Sequence, residues 1–276
     1  MPQTRGWLRQ LGIRGGRRMG QNFLVNRGVL HQIVAAAELE PADTVVEIGP
    51  GLGLLTRELT KRAGRVIAIE LDERLAGALG QALHHPPNLN IINDDVLRVD
   101  PAMLMEQAQA LRYKVVANLP YYITSPTLRH FLEAGIKPSL LVVMVQQEVG
   151  QTIVARPGDM SLLSVSIQFY GQPRIVCKVP ANCFFPQPKV DSVLLRVDVY
   201  SQPLVKVTDQ SRFFNLVRAG FGNRRKQLHN SLAHGLQIET QEAVSLLEQA
   251  SIDPKRRAET LTLEEWAVLE SRMAVG

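Results

Sequence analysis

Thr44-Val45-Val46-Glu47-Ile48-Gly49-Pro50-Gly51-Leu52-Gly53 decides the fold. A short β-branched and apolar run, long enough for one buried strand, ends on Gly49. Glycines then alternate with other residues until helix-period apolar spacing begins near Leu54. Glycine lets the chain turn tightly there and leaves main-chain N–H groups open to a ligand at a helix start. Glu70 closes the next strand run, Val66-Ile67-Ala68-Ile69, 21 residues after Gly49. A carboxylate in that place can accept hydrogen bonds from ribose hydroxyls.

Working outward, the same alternation continues. Asn26 caps a helix whose face is Val29, Leu30, Ile33, Val34 and Ala37. Leu89-Asn90-Ile91-Ile92, Lys114-Val115-Val116-Ala117 and the wholly apolar Leu140-Leu141-Val142-Val143-Met144-Val145 read as strands. Gly64 ends one helix and Ser125-Pro126 opens another. Repeated strand–helix–strand units predict an α/β fold, a Rossmann-like parallel sheet with right-handed crossovers. Residues 162–170, 174–179 and 192–199 read as strands with no long helix between them, predicting an antiparallel addition to the sheet. From Thr208 the pattern is helical, ending around Trp266. The expected organisation is a basic arm over 1–27, a domain over 28–203 and a small helical domain over 204–276, with the boundary at Ser201-Gln202-Pro203.

The 276 residues are 45% apolar and 21% charged, the balance of a globular protein with a real core. No apolar run is long enough for a bilayer span, and no apolar stretch backs the Arg-rich N-terminus as in a secretory signal. Two cysteines, Cys177 and Cys183, are too few for a disulfide scaffold, and six scattered histidines share no metal-ligand spacing. A reduced, cytoplasmic, non-membrane protein without a metal is expected. The net charge of +5 is unevenly placed. Residues 1–27 hold Arg5, Arg9, Arg14, Arg17, Arg18 and Arg27 and no acid, and Arg224-Arg225-Lys226 form a second patch. An arm and a patch of one sign suit a polyanion.

The cofactor class follows from spacing. Dinucleotide enzymes carry G-x-G-x-x-G, set for a pyrophosphate. Here an acid precedes G-x-G-x-G, which suits S-adenosylmethionine, a cofactor without phosphate. Asp94-Asp95 follows the third strand, and Asp95 is placed to accept from the adenine amine. After the fourth strand stands Asn118-Leu119-Pro120-Tyr121. An exocyclic adenine amine is a poor nucleophile because its lone pair is delocalised into the ring. Two acceptors on that N–H₂, the Asn118 amide oxygen and the Pro120 carbonyl, favour a pyramidal nitrogen with its lone pair free. Tyr121 offers a face to a base taken out of its stack.

These motifs resemble the KsgA/RsmA family of small-subunit ribosomal RNA adenine dimethyltransferases. The likeness rests on Gly20-Gln21-Asn22-Phe23-Leu24, Val46-Glu47-Ile48-Gly49-Pro50-Gly51, Asn118-Leu119-Pro120-Tyr121, Phe184-Phe185-Pro186-Gln187-Pro188-Lys189-Val190-Asp191-Ser192 and Phe221-Gly222-Asn223-Arg224-Arg225-Lys226. At Tyr122 the chain varies a position flanking the stacking tyrosine. The resemblance implies a class I S-adenosylmethionine-dependent methyltransferase domain. It implies cofactor contacts from Asn22, Leu24, Gly49, Glu70, Asp95 and Asn118, and a base held between Tyr121 and Phe184. It implies a partner, 16S ribosomal RNA in immature 30S subunits, methylated by a monomer on two adjacent adenosines of the 3′-terminal hairpin loop. A large-subunit (23S) adenine methyltransferase of the macrolide-resistance type, and a ribosome-assembly or transcription factor on the same fold, are the alternatives.

Overall fold

A computed structural model describes residues 22–223 and 225–273. Arg5, Arg9, Arg14, Arg17 and Arg18 of the basic arm, Gly20, Gln21 and Arg224 lie outside the described residues. In chain order the first elements are β1 (Phe23–Leu24), α1 (Arg27–Ala37), β2 (Thr44–Ile48), α2 (Leu54–Thr60), β3 (Arg65–Glu70), α3 (Glu73–Ala82) and β4 (Leu89–Asn93). There follow α4 (Pro101–Gln107), β5 (Lys114–Asn118), α5 (Thr124–Glu133) and β6 (Leu140–Gln146). The expected cap is present: the Val29 N–H donates to the Asn26 side chain at 3.1 Å.

Among the described residues the main sheet runs β4-β3-β2-β5-β6-β9-β7, with β7 (Gly171–Val179) and β9 (Ser192–Val199) added after β6. Pairs β3/β4, β2/β3, β2/β5 and β5/β6 are parallel, and β9 runs antiparallel to β6 with Met144 opposite Leu194. β2 and β6 are buried along nearly their whole length, as strands covered on both faces must be. Strand order reverses between β2 and β5, and ligands of open α/β sheets bind beyond the carboxyl ends of strands at such a point. The register aligns those ends. Ile48 stands opposite both Ile69 and Ala117, so Gly49, Glu70 and Asn118 emerge at one sheet edge.

Two expectations are corrected. Residues 162–168 form a helix, α7 (Leu162–Gln168), which follows α6 (Gln147–Ile153). Leu163-Ser164-Val165-Ser166-Ile167-Gln168-Phe169 alternates apolar with polar residues as a strand would, yet Ser164 and Ser166 are buried together with Val165 and Ile167. Its cap decides: Ser161 Oγ accepts the Ser164 N–H at 3.1 Å while Ser164 Oγ accepts the Ser161 N–H at 2.6 Å. The chain also divides differently. One compact unit comprises residues up to Gly150 with Pro173–Val199, and the second comprises Gln151–Gln172 with Tyr200 onward. Residues 151–172, expected within the 28–203 domain, thus join the C-terminal helices because Phe169 packs 4.9 Å from Phe213 and 5.2 Å from Phe214, ring centre to ring centre.

That second unit holds α8 (Gln210–Phe221), α9 (Leu228–Leu236), α10 (Thr240–Gln249) and α11 (Leu263–Met273). Its fully buried carboxylate, Glu270, is paired with Arg212 at 2.7 Å and accepts the Thr208 and Asp209 N–H groups. A charge so enclosed persists only because its oxygens are satisfied.

Candidate functional site

The reversal point opens into a cavity lined by Asn22, Phe23, Gly49, Gly51, Glu70, Leu71, Asp95, Asn118, Pro120, Tyr121 and Tyr122, among others. Its floor is the glycine turn. Gly49 and Gly51 have φ of +64° and +54°, a backbone region that costs a side-chain-bearing residue about 1–2 kcal/mol. A Cβ on Gly51 would also meet the Phe23 ring at 3.0 Å. The turn is anchored from the neighbouring strand: the Gly51 N–H donates to Glu70 Oε2 at 3.1 Å, and the Asp72 N–H donates to Oε1 at 3.0 Å. Each carboxylate oxygen retains a lone pair, so this chain's own residues orient Glu70 without exhausting it as an acceptor. Burial pushes the Glu70 carboxyl above the usual range, and the two N–H donors oppose that shift.

Asp95 is half-buried on the same wall, where its Oδ1 accepts the Leu97 N–H at 3.0 Å. Asn118, ending β5, is oriented by a distant segment. Its Nδ2 donates to the Asn22 carbonyl at 2.9 Å. A carbonyl only accepts, so this contact fixes which end of the amide is nitrogen and leaves Oδ1 as the free acceptor. The Pro120 carbonyl already accepts the Ile123 N–H at 3.1 Å and keeps a second lone pair. The Tyr121 hydroxyl is 2.8 Å from Ser192 Oγ, which pins its ring.

The structure separates two of the named residues from this cavity. Leu24 is 8% exposed and lines a smaller adjoining cavity with Glu47, Gly49 and Asn118. Phe184 is 2% exposed and belongs to the apolar cluster that holds Leu24, Val29 and Ile33. It does not line the cavity opposite Tyr121. The reason is strand alternation. In β8 (Phe184–Phe185), paired antiparallel with β1, Phe184 stands opposite Leu24 and shares its core-facing side, while Phe185 stands opposite Phe23 and packs with it and Leu75. Phe184→Ala is therefore expected to cost about 3–5 kcal/mol of unfolding free energy in urea. A variant of wild-type stability that has lost only RNA affinity would return Phe184 to the base-stacking role.

Leu71 and Tyr122, 53% and 59% exposed, also line the cavity and carry no role in the sequence reading. The signal for Leu71 was available: an apolar residue directly after a strand-end acid, where the chain leaves the sheet and a polar residue would be ordinary.

Glu47, the acid before the glycines, is 1% exposed, and its Oε2 has no hydrogen-bond partner. Burial pushes its carboxyl up to about 8, partly opposed by Thr56. Below pH 4.5 both folded and unfolded states hold the proton. Between about 4.5 and about 8 only the folded state does, so the stability from this group falls as pH rises, by up to about 1.4 kcal/mol per unit. Glu47→Gln should remove that slope. Urea unfolding from pH 5 to 8 checks it, and parallel profiles for the two proteins would show that Glu47 is ionised.

Residues 13–269 match the family profile described as ribosomal RNA adenine dimethylase. The chain belongs to that family. Ribosomal RNA small subunit methyltransferase A of Dehalococcoides mccartyi is 49% identical to this dimethylase over 269 residues, covering 98% of this chain and 92% of that one. The protein of the same description from Moorella thermoacetica is 45% identical, over 96% and 94% of the two chains. Among solved structures, a dimethyladenosine transferase from Plasmodium falciparum superposes with a TM-score of 0.78 at 24% identity, covering 92% of this chain and 98% of that one, a likeness of fold. The 23S rRNA methyltransferase ErmE superposes at 0.70 with 30% identity, over 92% and 100% of the two chains. The dimethylase is a Rossmann-like class I methyltransferase with C-terminal helices, an enzyme that uses S-adenosylmethionine to methylate ribosomal RNA. The acceptors present fit that cofactor: Glu70 with a free lone pair on each oxygen, Asp95 with Oδ2, and a glycine turn whose backbone is held open.

Proposed function

We propose that the enzyme converts two adjacent adenosines in the 3′-terminal hairpin loop of small-subunit ribosomal RNA to N6,N6-dimethyladenosine, acting as a cytoplasmic monomer on partly assembled 30S particles. The observation that carries the chemistry is the Asn118 amide, turned by the Asn22 carbonyl so that Oδ1 is free. With the Pro120 carbonyl it accepts hydrogen bonds from the two amine N–H groups and frees the N6 lone pair, the proton displaced on methylation leaving to solvent, while Tyr121, held by Ser192, supports the base. Cofactor contacts are assigned to Asn22, Gly49, Glu70, Asp95 and Asn118, with Leu24 behind them. When bound, the cofactor supplies an activated methyl group and its own leaving group, so what the chain contributes is orientation and electrostatics. After one methylation an N–H remains for one of the two acceptors, which is compatible with a second. Full-length likeness to two small-subunit methyltransferases supports the substrate. The helices beyond 204 and the basic arm are assigned to RNA contact on charge.

The likeness to ErmE makes large-subunit RNA the reading to be tested against. Labelled S-adenosylmethionine is supplied with unmethylated 30S or 50S particles, and the nucleosides are separated after digestion. The expected product is dimethyladenosine from 30S particles. Only monomethyladenosine, or label in 50S RNA alone, would overturn the assignment.

A further inference from the structure

Tyr122 is an exposed aromatic residue of this cavity to which the proposed reaction gives no task, whereas Phe23, which also has none, is buried. Tyr122 is the middle residue of the 3₁₀ turn Tyr121–Ile123, directly after the Pro120 acceptor. The turn is held by the Ile123 N–H on the Pro120 carbonyl and by the Thr124 N–H on the Tyr121 carbonyl. Successive side chains of a 3₁₀ turn diverge by about a third of a revolution. The two rings therefore do different things. Tyr121 is half-buried and its hydroxyl is bonded to Ser192, whereas Tyr122 is 59% exposed at the cavity wall. Among the described residues the Tyr122 hydroxyl has no hydrogen-bond partner, and its ring packs on no other aromatic ring.

An isolated exposed apolar side chain needs no explanation. This one is set on a fixed turn, next to the ring that supports the reacting base and within the same cavity wall. Extruding one adenine from a loop strips its neighbour of a stacking partner, a cost that a second π-face close to the first offsets. Adjacent residues lie 3.8 Å apart at Cα, and their diverging rings can serve two consecutive bases of one strand.

We propose that Tyr122 is the stacking platform for the nucleotide next to the adenine undergoing methylation, a substrate-binding residue that favours two adjacent bases in a single-stranded loop. This rests on the reading of the enzyme as an adenine methyltransferase of a ribosomal RNA loop. Removing a base–aromatic stack of about 1–3 kcal/mol corresponds to roughly a 5- to 150-fold loss of affinity. Tyr122→Ala is expected to raise KM for unmethylated 30S particles by that order, with the cofactor Kd and the Tm at wild-type values because the ring is exposed. Tyr122→Phe and Tyr122→Trp should restore KM, since stacking needs the ring and not the hydroxyl.

A direct readout uses a hairpin RNA in which the neighbouring adenosine is replaced by 2-aminopurine. Its fluorescence is expected to be quenched on binding wild type and to remain high with Tyr122→Ala. An unchanged KM and equal quenching in Tyr122→Ala, in a preparation whose wild type dimethylates 30S particles, overturn the proposal alone. A weakened cofactor Kd in that variant also overturns it, by placing the ring against the cofactor. Wild type that leaves 30S RNA unmethylated instead overturns the reading of the function on which the proposal rests.

Discussion

Asn118→Ala is expected to lower the single-turnover rate of methylation by roughly 10²–10³-fold, the usual cost of losing one preorganised acceptor or donor at a reacting centre. RNA affinity should change far less. The difference arises because Oδ1 matters most when the amine turns its lone pair out of the ring, which happens only on the way to the transition state. Asn118→Asp gives the sharper comparison. It keeps the shape but loses the Nδ2 donor, so the Asn22 carbonyl now 2.9 Å away would face a carboxylate oxygen, and the segment around Asn22 should be displaced. Both variants lose the Asn22 contact and should slow methylation, with the aspartate weakening the cofactor more because its carboxylate repels the Asn22 carbonyl. Quench-flow methylation with RNA binding measured in parallel checks this. Equal losses in both assays for Asn118→Ala would make the residue a positioning group for RNA.

Glu70→Ala is expected to weaken S-adenosylmethionine binding by about 2–4 kcal/mol, roughly 30- to 1,000-fold in Kd, from the loss of two charge-assisted hydrogen bonds to ribose. A second loss adds to it. The Gly51 and Asp72 N–H groups both donate to this carboxylate, so its removal leaves the glycine turn without its cross-strand anchor. Glu70→Gln does not rescue this. A side-chain amide has one accepting atom, and its NH₂ would oppose either the Gly51 or the Asp72 N–H. Calorimetry of cofactor binding should rank wild type above both variants. An unchanged Kd in Glu70→Ala would place the ribose elsewhere, and binding of NAD without S-adenosylmethionine would contradict the cofactor class itself.

The parallel sheet was legible because its information is local. Buried runs such as Thr44–Ile48 and Leu140–Gln146 are largely apolar because both faces are covered, and the glycines, Glu70, Asp95 and Asn118 stand at strand ends that the alternation of elements already marks. Right-handed crossovers then bring those ends to one edge whatever the details of packing. Charge placement was equally open to reading, since it needs no folding.

Other features depend on residues far apart in the chain. Leu162–Gln168 alternates apolar and polar residues as a strand would over a stretch too short to show a helical period, and the reciprocal Ser161–Ser164 cap, with Phe169 packed on Phe213 and Phe214, makes it a helix. Phe184 and Phe185 are neighbours of the same type, and only the register of β8 on β1 decides which of them enters the core. The sequence by itself determined which chemical groups this protein brings to its reaction, because strand-end positions follow from local pattern. Only the tertiary structure decided how those groups are turned. The direction of the Asn118 amide is set by a carbonyl 96 residues away, and the anchoring of the glycine turn by a carboxylate 19 residues on, because hydrogen-bond orientation depends on partners that sequence spacing does not bring together.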